Sequence, residues 1–134
     1  MTISDLGLQS KSVLEEAAVM LVDEFEEPRG WSTLELALDE VSTVLREGFA
    51  YVALEGNTIL GWVGGLPEYA RRVWELHPMV VRRAYRKRGI GRALAAAFEA
   101  EAITRGGFTA TLGTDDDSGM TSLADVDLYG NIPR

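Results

Sequence analysis

Six of the chain's thirteen Lys and Arg residues fall within eleven positions: Arg82, Arg83, Arg86, Lys87, Arg88 and Arg92. No acid interrupts them, although the 134-residue chain carries a formal net charge of −8. Setting that window's +6 aside leaves −14 on the other 123 residues. A local excess of this size points to one anionic partner held at one place. Gly89 and Gly91 stand inside the cluster, directly before an apolar-periodic run. A strand that ends in a glycine-bearing loop and opens a helix presents several unpaired backbone N–H groups, together with the positive end of the helix dipole. Glycines let a phosphate approach the backbone, and arginines add charge-assisted hydrogen bonds. A bare G-x-G also describes a solvated basic turn that caps a helix.

The elements around this loop can be read from periodicity. Thr2–Leu8 reads as a short first strand. Ser12 and Glu15 fit a capping box, and Leu14, Ala17, Ala18, Leu21, Val22 and Phe25 follow at helical spacing until Pro28 and Gly30. Ser32 and Glu35 suggest a second capping box, with Leu34, Ala37, Leu38, Val41, Val44 and Leu45 on one face and Gly48 closing the helix. The period then changes. FAYVALEGNTILGWVGGL reads as a hairpin about Gly56-Asn57, and VWELHPMVVRR as a long central strand. Ile90, Leu94, Phe98 and Ala102 return to helical spacing, Gly106-Gly107 stops that helix, FTATLGT is a last strand and DDDSG a turn. The expected order is β-α-α-β-β-β-α-β in one domain, residues 1–134. The fold class is α/β (α+β), with a mixed, mostly antiparallel sheet and a right-handed β-α-β crossover at its end.

Two phosphate-binding motifs fail on particular residues. A P-loop needs Gly-Lys-Ser/Thr, but Arg92 and Ala93 follow Gly91. A dinucleotide fingerprint needs a third Gly or Ala where Leu94 stands. The fuller string Arg86-x-x-Gly89-x-Gly91, after a strand bearing Val80-Val81 and a proline, resembles the acetyl-CoA motif of the GNAT superfamily of N-acyltransferases. In that family the loop binds the coenzyme A pyrophosphate. The resemblance extends to WELHPMVV (74–81), GLPEYA (65–70), LGTDDD (112–117), TSLADVDLY (121–129) and Trp31, all of which look like the aminoglycoside 6′-N-acetyltransferases. Such enzymes continue after DLY with a helix and two strands, and the chain stops at Arg134. The missing helix usually bears a tyrosine proposed as general acid, a role not given to Tyr129.

The resemblance implies acetyl-CoA as co-substrate, held by Met79, Val80, Val81, Arg86, Lys87, Arg88, Gly89, Ile90, Gly91 and Arg92. It implies Glu75 as the group that anchors an acceptor ammonium and removes its proton; otherwise Glu75 is a strand carboxylate facing solvent or an arginine. Pro78 cannot donate to a sheet ladder, so a bulge is expected there, with the Met79 amide polarising the thioester carbonyl. His77 is a secondary base candidate or a packed, hydrogen-bonded strand histidine. Trp31 and Tyr69 are implied to stack on sugar rings, or are core or rim aromatics. Asp115 is implied to meet a second ammonium, or belongs to a solvated turn.

Composition narrows the classes. Absent cysteines exclude disulfides, thiolate metal sites and cysteine nucleophiles, and a single histidine makes a His-built metal site improbable, so no metal is expected. A pI near 4.6 argues against nucleic acid as partner and suits a cationic small molecule. No leader or membrane-length apolar run is present, so a cytoplasmic protein without membrane partners is expected. Other readings are transfer to another polyamine or a peptide amine, and a shortened, non-catalytic domain that binds acyl-CoA. The strand Phe108–Thr114, lacking the family's C-terminal cover, predicts a homodimer or higher assembly.

Overall fold

The computed structural model describes residues 1–25, 30–68 and 73–110, of which 108–110 are described by backbone alone. Alternating apolar residues on either side of Gly56-Asn57 fold as the expected hairpin. β2 (Phe49–Glu55) and β3 (Thr58–Glu68) pair antiparallel, and Gly56 at φ +63 supplies the left-handed turn conformation. β1 (Thr2–Asp5) flanks β2, while β4 (Val73–Val81) flanks β3 and pairs in parallel with β5 (Phe108–Ala110). The sheet order is β1-β2-β3-β4-β5. A parallel pair needs a crossover, and α3 (Ile90–Thr104) provides it. The mixed, largely antiparallel sheet in the expected element order is therefore present. Residues 111–114, assigned from sequence to the last strand, lie outside the described residues.

Helices cover both faces of the sheet. α1 (Lys11–Glu24) and α2 (Leu34–Glu47) bury Ala17, Met20, Leu21, Val41 and Val44 against Val52, Ile59, Trp62 and Val80. α3 buries Leu94, Phe98 and Ala102 against Phe49, Val63, Leu76 and Met79 on the other face. The indole Nε1–H of Trp62 donates to the Ala17 carbonyl at 3.0 Å, so the largest buried side chain also ties β3 to α1.

Local boundaries differ from expectation. Ser10, not Ser12, caps α1, its hydroxyl accepting from the Val13 N–H at 3.4 Å. Thr33, not Ser32, caps α2, accepting from the Leu36 N–H at 3.1 Å. A cap needs extended backbone immediately before the first helical residue, and several neighbouring hydroxyls compete for that position here. The first strand ends at Asp5 because its carboxylate accepts from the Gly7 N–H at 2.8 Å, turning Leu6–Leu8 into a 3₁₀ turn with Leu6 in the core. α1 ends at Glu24, and Pro28 lies outside the described residues. Gly48 and Gly106-Gly107 terminate α2 and α3 as expected. The Gly107 N–H bonds the Ala102 carbonyl and the Gly106 N–H that of Ile103, a Schellman end.

β4 carries the irregularity that matters. Val63 pairs with Met79 and Gly65 with Leu76, so His77 and Pro78 together oppose Gly64. This bulge reverses the strand's parity. Trp74 and Leu76 before it, and Met79 and Val81 after it, all face α3. Glu75 and His77 consequently share the α1–α2 face with Val80.

Candidate active site

The basic loop joins β4 to α3. α3 is capped by Gly89, at φ +81 and without a side chain to accept from the first turn. The first intrahelical bond runs from the Ala93 N–H to the Gly89 carbonyl, which leaves the preceding N–H groups as the helix's unpaired donors. A Cβ at Gly89 would meet nothing within 4 Å, and one at Gly91 only the Val81 Cγ2 at 3.9 Å. Packing therefore does not require glycine at either position. Gly91 also lacks a positive φ, so its backbone does not require glycine either. Glycine in a helix costs up to about 1 kcal/mol relative to alanine. What Gly91 leaves open is space over the helix's first turn. Lys87, at φ +67, is another left-handed residue in this loop, a conformation seldom kept by a lysine without constraint around it.

The six cations are not equivalent. Arg82 donates to the Ile59 carbonyl at 2.9 Å and to Glu16 at 2.6 Å. Arg86 donates to the Val81 carbonyl at 3.0 Å and to Glu24 at 3.2 Å, and the two side chains are only 18% and 13% exposed. These two guanidinium groups fasten the loop to α1. Arg86, expected among the coenzyme contacts, has the Val81 carbonyl and Glu24 as its partners here. Arg83, Lys87, Arg88 and Arg92 are exposed and have no ion pair among the described residues, and Arg88 lies 5.5 Å over the Tyr85 ring. Met79, Val80, Val81 and Ile90 have buried side chains, so only their backbone can meet a ligand.

Towards the other end of β4, Glu75 and His77 line the α1–α2 face. A hydrogen bond with Glu68 is the main influence raising the Glu75 carboxyl above the ordinary range; burial and the Glu68 charge add to it, and His77 opposes. His77 Nε2 lies 2.9 Å from the Glu40 carboxylate on α2. That bond raises the imidazole's pKa, with burial opposing and the Glu40 and Glu75 charges assisting. His77 is thus a partnered histidine whose proton is held by its neighbour. The Trp31 ring sits 6.3 Å from His77 and 5.5 Å from Phe25, edge to face with the latter. Trp31, Glu75 and His77 are therefore brought to one wall. Tyr69, Asp115 and Tyr129 lie outside the described residues.

Glu68, Glu40, Glu16 and Glu24 were not anticipated. Glu40 follows Ala37 by three positions and precedes Val44 by four, placing it beside the apolar stripe of α2, a legible sign of a carboxylate turned towards the sheet. Glu68 becomes meaningful only once the β3–β4 register is known. The arrangement offers anion-binding N–H groups after one end of β4 and a proton-accepting, cation-attracting acidic wall near the other.

A family model described as acetyltransferase (GNAT) family matches residues 14–124. No curated protein matches the sequence. The fold is similar to a crystal structure of an aminoglycoside 6′-N-acetyltransferase complexed with coenzyme A, at 30% identity and TM-score 0.71, covering 80% of this chain and 58% of that one. It is likewise similar to the aminoglycoside 6′-N-acetyltransferase from Enterococcus faecium, at 30% identity and TM-score 0.67, covering 80% and 57%. An aminoglycoside 6′-acetyltransferase type Ii aligns at 26% identity and TM-score 0.70, covering 94% and 81%. The chain spans less than two thirds of the length of the first two.

Proposed function

Because this chain belongs to the GNAT family of acetyltransferases, we propose that it moves the acetyl group of acetyl-CoA to the 6′-amine of an aminoglycoside. The observation that carries this reading is the division of β4. Its C-terminal end leads into a helix start whose unpaired N–H groups are left open by two glycines that packing does not require. Its N-terminal half presents Glu75 on a half-buried acidic wall beside Trp31 and His77. Anionic and cationic substrates would meet between them, at the bulge.

In this scheme the backbone of 89–92, with Arg83, Lys87, Arg88 and Arg92, binds the coenzyme's phosphates. Arg82 and Arg86 hold the loop in place from α1. Glu75 removes the proton that keeps the acceptor amine unreactive. The Met79 amide, just past the bulge, donates to the carbonyl oxygen as negative charge develops there. The leaving thiolate, with an ordinary thiol pKa of about 8.5, departs without needing an obligatory acid. Thiol release on mixing the protein with acetyl-CoA and a panel of aminoglycosides tests the reading. Release that depends on an aminoglycoside supports it, and release with other polyamines or peptide amines alone moves the protein to another acceptor class.

A further inference from the structure

We propose that Glu68 is a positioning residue for the proton transfer: diagonal to Glu75 across the β3–β4 ladder, it makes the proton acceptor a two-carboxyl unit that shares the proton taken from the acceptor amine. This rests on the reading of Glu75 given above. Leu66 lies directly opposite Glu75, so Glu68, two residues further along β3, points to the same sheet face on the diagonal. Both side chains are partly buried, and the neighbouring Glu68 carboxyl raises that of Glu75. Two ionised carboxylates have no donor between them, so one added proton is what lets them hydrogen-bond to each other.

Among the described residues, the counter-charge that acts on Glu75 is one already shared with another carboxylate. On its own strand stands His77, already bonded to Glu40 of α2. β5 contributes Phe108, Thr109 and Ala110, none of them titratable. Arg105 of the α3 end lies over Trp74, on the opposite face of the sheet. Arg71 and Arg72 fall outside the described residues. Like charges on neighbouring sheet positions weaken a fold, so the juxtaposition does nothing for stability at neutral pH. It does suit a base that must take a proton from an alkylammonium.

When the acceptor arrives as R–NH3⁺, the ionised pair takes one proton from nitrogen and shares it, and the N–H electron pair stays on nitrogen. The nitrogen then forms the C–N bond as the C–S bond breaks. The second proton passes from nitrogen to the thiolate, and the shared proton leaves to water at the end of the turnover.

Two measurements test the proposal. In the unliganded protein with ¹³C-labelled glutamate carboxyls, the Glu75 signal, identified by its loss in Glu75→Gln, should titrate at higher pH than in Glu68→Gln. In acetyl transfer to neomycin, which carries a 6′-amine, Glu68→Gln should move the acid limb of kcat/KM to lower pH. It should also lower kcat about tenfold, with acetyl-CoA affinity kept within about threefold. A Glu75 titration unchanged by Glu68→Gln, or an acid limb that stays in place, overturns the proposal. Coupled carboxyls without any transfer to neomycin would uphold the pair and overturn the acceptor reading instead. Should Glu68→Gln not fold, Glu68→Asp, whose carboxyl is one carbon short of spanning the diagonal, should give the same downward displacement; an unchanged titration there is equally fatal.

Discussion

Glu75 and His77 sit two residues apart on one sheet face, yet their partners give them opposite characters. Glu68 raises the Glu75 carboxyl, which suits the base proposed for it, whereas Glu40 holds the His77 proton in place. Glu75→Gln should therefore reduce turnover about 10²–10⁴-fold and leave acetyl-CoA affinity within about threefold, and His77→Ala should cost less. Steady-state kinetics and calorimetry on the two variants check this order. The same shifts have consequences for stability. A folded pKa raised above the unfolded value means that the native state binds more protons between the two, so stability falls as pH rises through that window. Glu75→Gln should raise Tm at pH 7 and lose that gain as pH falls well below the ordinary glutamate value of 4.5, where Glu75 is protonated in both states. For His77 the ion pair with Glu40 is fully present below the unfolded imidazole value of 6.5 and is lost as pH rises through the raised folded value. Glu40→Gln should accordingly lower Tm at pH 6 and match the unsubstituted protein at alkaline pH, as calorimetric scans across pH would show. The sequence placed both residues but left His77 open between base and packed histidine. Only the position of α2 against β4 decides its partner.

At the scale of elements, the loop from Arg82 to Arg92 combines a left-handed cap with two clasps on α1. Gly89→Val should abolish acetyl-CoA binding. Part of any loss comes from forcing a β-branched residue to φ +81, so Gly56→Val, at φ +63 and equally open, is the matched control. Both should destabilise by about 1–2 kcal/mol, but only Gly89→Val should lose coenzyme binding. The arginines should divide in the same way. Arg86→Ala breaks a nearly buried pair with Glu24 and should cost about 3 kcal/mol of fold stability, while Arg83→Ala should leave Tm unchanged and weaken coenzyme binding mainly at low salt. Thermal melts and calorimetry at two ionic strengths separate these outcomes. The hairpin, the three helices and the bulge at Pro78 were legible because periodicity, Gly56-Asn57 and a proline inside a strand are local signals. The caps slipped by one or two residues because Ser10, Ser12, Ser32 and Thr33 offer equivalent hydroxyls. The Arg86–Glu24 and Arg82–Glu16 clasps join residues more than sixty positions apart, which no local pattern announces.

Across the whole molecule, charge is divided in keeping with the proposed chemistry. The cationic loop sits on a chain that is otherwise strongly acidic, and the acidic wall of Glu40, Glu68 and Glu75 lies on the face covered by α1 and α2. No described helix is long and apolar enough to cross a membrane. The proposed acceptor and coenzyme carry opposite charges, so both associations should weaken as salt rises, and a salt series on each KM checks it. The family was legible because its motifs are spread along the chain. The acceptor is harder to read, because an acidic wall attracts many amines and Tyr69 and Asp115 fall outside the described residues. The most direct measurement is mass spectrometry of the products formed from acetyl-CoA with neomycin and with paromomycin, which differ in carrying a 6′-amine and a 6′-hydroxyl. The account predicts one added acetyl group on neomycin and none on paromomycin. Equal acetylation of both, or of neither, would contradict it.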